Sequence, residues 1–353
     1  MTIGKWIMAA VLLATLTTGA AAQEKGGEDI SGPYEVVENW PQPLHTDGWS
    51  WGSTAGIWAE TPDRVFVLQR GELPVLGPDA TGLTSSLPAR AATGGKARWE
   101  HLVMIFDGEG KLVDSWEQYN QMFVRPHRIL MNPHDPERHV WVVDDRGHQI
   151  FKFTNDGSEI GLRLGEKGVP GNDKSHFDRP TDIAWLPNGD FYVTDGYNNT
   201  RVVKFSSEGE YLFEWGKPGT GPGEFNLVHG IVIDANRRIY VSDRSNSRIQ
   251  VFDENGKYLE EWPNIKSPYF LRLSQDQHIW VSDGVTQKLL KYDLNGKFLD
   301  SWGTFGIFPG ALWGPHQFTV DSDGNFYVAE VFNGRAQKFR PKSNADPEAL
   351  VKQ

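Results

Sequence analysis

Short stretches of alternating apolar and polar residues recur in pairs along most of the chain. The segments "VWVVDDRGHQIFKF", "FYVTDGYNNTRVVKF", "IYVSDRSNSRIQVF", "IWVSDGVTQKLLKY" and "FYVAEVFNGRAQKF" each run from one such stretch through an acid and a turn into a second. Period-two alternation turns every other side chain to the same face, so each segment reads as a β-hairpin. The repeated acids are Asp144, Asp195, Asp243, Asp283 and Glu330, separated by 51, 48, 40 and 47 residues. One more apolar strand precedes each hairpin, as in "DIAWL" and "HGIVI", and most units end in an outer strand closing on Trp116, Trp215, Trp262 or Trp302. Four short strands at this period describe a propeller blade.

Counting the blades requires a decision at each end. "GIWAETPDRVFVLQRGE" supplies the first half of a blade, with Gln69 in the place of the acid, and "LVMIFDGEGKLVDSW" completes it after an insertion at 72–99. The last blade stops at "RAQKFRPK", while "GPYEVVENW" at 32–40 has outer-strand character and no blade of its own. The expected fold is therefore all-β: a six-bladed propeller of four-stranded antiparallel blades over residues 32–340, its ring closed by an N-terminal strand. The polar segments 23–31 and 341–353 are expected to be disordered.

Composition narrows the setting. Lys5, an apolar run and then Ala20, Ala21 and Ala22 read as a cleavable signal peptide at 1–22, so a secreted or periplasmic protein is expected, with no membrane attachment after cleavage. The chain has no cysteine, which excludes a disulfide framework and thiolate metal ligands. A formal net charge of -11 opposes nucleic-acid binding. A monomer is expected.

Aligning the blades exposes the chemistry. Fourteen residues before the acid, or seventeen in the second blade with its longer hairpin, one slot reads Ala55, His127, Thr181, His229, Tyr269, His316 from the first blade to the sixth. Histidine fills alternate blades, about 120° apart around a six-fold ring. Three imidazoles then converge at one mouth of the channel, the arrangement of a three-histidine metal site with an open position, for which zinc is the expected ion.

Departures from the repeat mark further candidates. Arg201, Arg248 and Arg335 recur and are expected to brace turns. Arg70 and Arg244 follow the acid position, where other blades carry Asp145, Gly196, Gly284 and Val331. Two guanidiniums beside a metal point to a carboxylate-bearing small molecule or peptide as substrate. Tyr197, after "TDG", places a phenol near them, suited to a general base.

These residues resemble a known family. "HFDRPTDIAWLPNGDFYVTDGYNNTRVVKF", "GEFNLVHGIVI", "VSDRSNSRIQVF" and "GPHQFTVDSDGNFYVAE" look like the NHL-repeat propeller of the peptidyl-α-hydroxyglycine α-amidating lyases. The resemblance implies zinc on His127, His229 and His316, with Tyr197 as base and Arg70 and Arg244 on the substrate carboxylate. It further implies cleavage of a carbinolamide into an amide and glyoxylate. The family's structural calcium (Ca2+) uses an acid directly after the third histidine, whereas this chain has Gln317, a weaker neutral ligand. Two other readings compete: a metal-dependent propeller hydrolase or lactonase, and a non-catalytic scaffold that binds a protein or glycan.

Overall fold

The computed structural model describes residues 30–44, 49–74 and 98–353. The signal peptide, most of 23–31 and most of the 72–99 insertion lie outside the described residues. Six four-stranded antiparallel sheets make up the ring, and the helical elements among the described residues are three-residue 3₁₀ turns.

Each blade begins with its innermost strand. These are Thr54–Thr61, Pro126–Met131, Pro180–Trp185, Val228–Ile233, Pro268–Leu273 and Pro315–Val320. The core lies between blade faces. Between the third and fourth blades, Tyr192 and Val202 pack with Phe225, Ile231 and Phe252; between the fourth and fifth, Tyr240, Val251 and Trp262 pack with Leu271, Ile279 and Val281. Each such side chain contributes about 1.5–3 kcal/mol on burial, more than an exposed ion pair can.

The last blade takes its outer strand from the other end of the chain. Tyr34–Val36 pairs antiparallel with Arg335–Pro341, Glu35 opposite Arg340. Trp40 then reaches the first blade, where its indole donates to the Asp107 carbonyl at 3.2 Å. Its ring lies 2.8 Å from where a Cβ on Gly110 would stand, so this turn, at φ +83°, has room only for glycine.

The repeated acid and the recurring arginine form one device. Asp195, Asp243 and Glu330 accept the amides of Asp178, Asn226 and Trp313, which enter the innermost strands. Arg201, Arg248 and Arg335 donate their Nε to the same acids at 3.0, 2.9 and 3.0 Å. These arginines brace the fold, as their recurrence implies.

The tail at 341–353 departs from expectation. Val351 is 2% exposed, its amide donates to the Tyr34 hydroxyl at 2.9 Å, and the Lys291 ammonium donates to the Glu348 carbonyl at 2.6 Å. Polar composition concealed the apolar pair Leu350 and Val351, which joins the core of the last blades.

Candidate active site

One irregularity builds the site. In every blade the pairing between the innermost strand and its neighbour skips the slot: the ladder steps from Thr54 to Gly56, Pro126 to Arg128, Pro180 to Asp182, Val228 to Ile231, Pro268 to Phe270 and Pro315 to Gln317. A residue released from the ladder by a bulge is free to turn its side chain off the sheet, here toward the channel mouth. Alternate blades use that freedom for histidine.

His127, His229 and His316 are at most 2% exposed. Their rings stand 5.0, 4.7 and 5.2 Å apart, nearly an equilateral triangle. Each Nδ1 meets a backbone carbonyl of the next blade: His127 to Thr181 at 2.9 Å, His229 to Tyr269 at 2.5 Å and His316 to Ala55 at 2.6 Å. A carbonyl only accepts, so Nδ1 carries the proton and Nε2 keeps its lone pair. The slots without histidine thus supply the carbonyls that aim the histidines. The ligand atoms lie within 4.8 Å of one another, and burial holds all three imidazoles well below their ordinary range, reinforced for His229 by Arg244 and for His316 by Arg128. Neutral, oriented, converging imidazoles fit a divalent transition metal.

Tyr197 hangs over this triangle. Its hydroxyl lies 3.1 Å from Nε2 of both His127 and His229. The turn that carries it stands close because residue 196 is glycine: a Cβ there would lie 1.7 Å from the Val228 carbonyl oxygen. Arg244 sits 4.7 Å from the Tyr269 ring and 5.7 Å from that of Tyr197. Arg70 donates its Nε to the Pro126 carbonyl at 3.1 Å and leaves Nη2 buried without a partner. Burial, with Arg125 nearby, pushes the Arg70 guanidinium down to about 10, so it stays charged at neutral pH. Neither arginine has an ion-pair partner among the described residues. All six candidate residues meet at one mouth.

Other residues of the site escaped the sequence reading. Arg125 and Arg179 stand two places before the slot in neighbouring blades, where the rest carry Ser53, Leu227, Ser267 and Gly314; that departure was the available signal. Asp145 holds both guanidiniums. Burial works to raise its carboxyl, but Arg125 and Arg70 outweigh it and hold it below the usual range. Arg179 in turn lies 4.2 Å from the Tyr197 ring. Beneath the histidines, fully buried Arg128 donates to the His316 and Tyr269 carbonyls at 2.9 and 3.2 Å and faces Asp182 at 3.4 Å. Burial pushes Asp182 up to about 6 against that pairing. This layer floors the site.

Gln317 does not fit a calcium site. Its Nε2 donates to the Ile129 carbonyl at 2.6 Å and its Oε1 accepts the Ile129 amide at 3.4 Å, so amide and backbone satisfy one another.

A family model described as a 6-bladed beta-propeller matches residues 171–292. The chain is a six-bladed β-propeller. It is similar to peptidyl-alpha-hydroxyglycine alpha-amidating lyase 1 of Drosophila melanogaster, 30% identical over 284 residues, 72% of this chain and 51% of that protein. Peptidyl-glycine alpha-amidating monooxygenase of Mus musculus is 28% identical over 238 residues, 65% of this chain and 23% of that one. NHL repeat-containing protein 3 of Homo sapiens is 32% identical over 186 residues, 49% and 52%. The propeller thus aligns with about half or less of each of these relatives. Among solved structures, a streptogramin B lyase shares the fold, with a TM-score of 0.53 at 15% identity over 85% of this chain and 96% of that one.

Proposed function

We propose that this propeller is an exported zinc-dependent lyase that cleaves a peptidyl-α-hydroxyglycine-like carbinolamide to an amide and glyoxylate. The observation that carries the reading is the Tyr197 hydroxyl, 3.1 Å from two oriented Nε2 atoms and flanked by Arg70 and Arg244, which have no carboxylate partners among the described residues. The similarity to amidating lyases supports it.

A zinc ion on the three histidines would supply Lewis acidity toward the substrate oxygens. Arg70 and Arg244 bind the carboxylate, the fork of each guanidinium matching its two oxygens. Tyr197 accepts the proton of the carbinol hydroxyl; the carbon–oxygen double bond of glyoxylate forms as the carbon–nitrogen bond breaks. The same proton, returned from Tyr197 to nitrogen, completes the amide. The Arg128–Asp182 layer closes the site from below and keeps the His316 and Tyr269 carbonyls in place. The substrate partner is a small molecule or peptide ending in a carboxylate, and the enzyme acts as a monomer.

The test is glyoxylate release from α-hydroxyhippurate by the untagged mature chain, with bound metal measured beside it. About one zinc per chain, lost with activity in His229→Ala, is the expected result. A protein that holds no transition metal even when zinc is offered, or that holds zinc and releases no glyoxylate, overturns the proposal.

A further inference from the structure

Below the floor of the site the channel opens again toward the opposite mouth. Strand alternation turns the third residue beyond each bulge to the axis: Trp58, Leu130, Ala184, Val232, Arg272 and Thr319. A cavity of about 760 Å³ opens there, and a narrower funnel of about 190 Å³ continues inward to Asp182. Trp58, Trp185 and Arg272 line both.

Arg272 is the anomaly. Its Nε is buried without a partner, and its guanidinium makes no hydrogen bond or ion pair among the described residues. Its near neighbour is the Trp58 ring across the channel, at 5.7 Å. Three carboxylates around the cavity already have partners: Glu60 pairs with Arg64 and Arg138, Asp234 pairs with Arg238, and Asp135 meets the His139 ring. Burial lowers Arg272 to about 10, which leaves it cationic at neutral pH. A half-buried guanidinium whose Nε is shut off from water, facing apolar walls with no counter-charge among the described residues, is a costly arrangement.

We propose that this funnel is a second binding site, separate from the histidine mouth, which takes a small carboxylate with an aromatic or aliphatic body. The carboxylate lies on the Arg272 fork and the body between Trp58 and Trp185, with Ile233 and Leu273 beside it. A single guanidinium matches a monoanion; Glu60, Asp135 and Asp234 at the rim disfavour a dianion such as phosphate.

The probe is 4-bromobenzoate, located by bromine anomalous scattering in crystals and titrated calorimetrically in solution against 4-bromobenzamide. The expected result is bromine between Trp58 and Trp185, with saturable solution binding at least about tenfold weaker for the amide and for Arg272→Gln. Bromine at the Arg70 and Arg244 mouth alone, equal binding of acid and amide, or binding at crystal concentration only would each overturn the proposal. Should Arg272→Gln fail to fold, acid against amide on the unaltered protein decides the matter.

Discussion

Arg201, Arg248 and Arg335 carry the same side chain as Arg70, Arg244 and Arg272, yet the two groups live in different surroundings. Each member of the first group donates to a buried acid and to backbone carbonyls around it; Arg248 alone reaches Asp243, Glu261 and the carbonyls of Thr220, Gly221 and Glu224. The second group has aromatic rings or a lone carbonyl beside it and, among the described residues, no acid within ion-pair distance. A guanidinium saturated by its own chain is committed to the fold, whereas one left open toward a cavity or mouth offers its donors to something else. Completeness of pairing, rather than residue type, separates brace from binder.

The sharpest way to break this contrast is Tyr197→Phe, which removes one oxygen from the centre of the open group. Glyoxylate release should fall by about 10²–10⁴-fold, with metal content and circular dichroism unchanged. Arg244→Gln comes next: kcat/KM should drop by about 10²–10³-fold, with a melting temperature close to that of the unaltered protein. Arg248→Met should do the reverse. It leaves Asp243 buried without its cation and should cost about 3–5 kcal/mol in denaturant unfolding, with activity per folded molecule retained. If Arg248→Met stayed stable, or Arg244→Gln unfolded the chain, the division would collapse.

A smaller effect sharpens the brace side. Burial raises Asp195 to about 6, against the pull of Asn199 and Arg201. A carboxyl that binds its proton more tightly folded than unfolded favours the fold as pH falls from about 6 toward 4. The unaltered protein should therefore gain on Asp195→Asn by about 2 kcal/mol over that window, read as a melting temperature that rises relative to the variant's as pH falls.

The blades, the ring closure and all six candidate residues were legible because a repeat reports its own exceptions: histidine in alternate copies of one slot, arginine where others carry glycine. Arg128 and Asp182 were less visible. Their pairing crosses from one blade to the next, and a single strand read as alternating apolar gives no sign that one charge inside it meets another. Arg125 and Arg179 did break the repeat, but two places away from the aligned slot. The buried tail was hidden for the opposite reason, since two apolar residues among polar ones carry no period. Arg272 looks like any strand arginine until the funnel around it is drawn.

The manner of ring closure carries a temporal consequence. The strand Tyr34–Val36 cannot find its partner until Arg335–Pro341 has been synthesised, and the three histidines belong to blades spread across the same interval. A nascent chain therefore holds isolated imidazoles, unable to capture a metal together, for nearly the whole of its synthesis. The triangle needs the innermost strand of the last blade, so any ion it holds would bind late, after the blades that carry its three corners have come together.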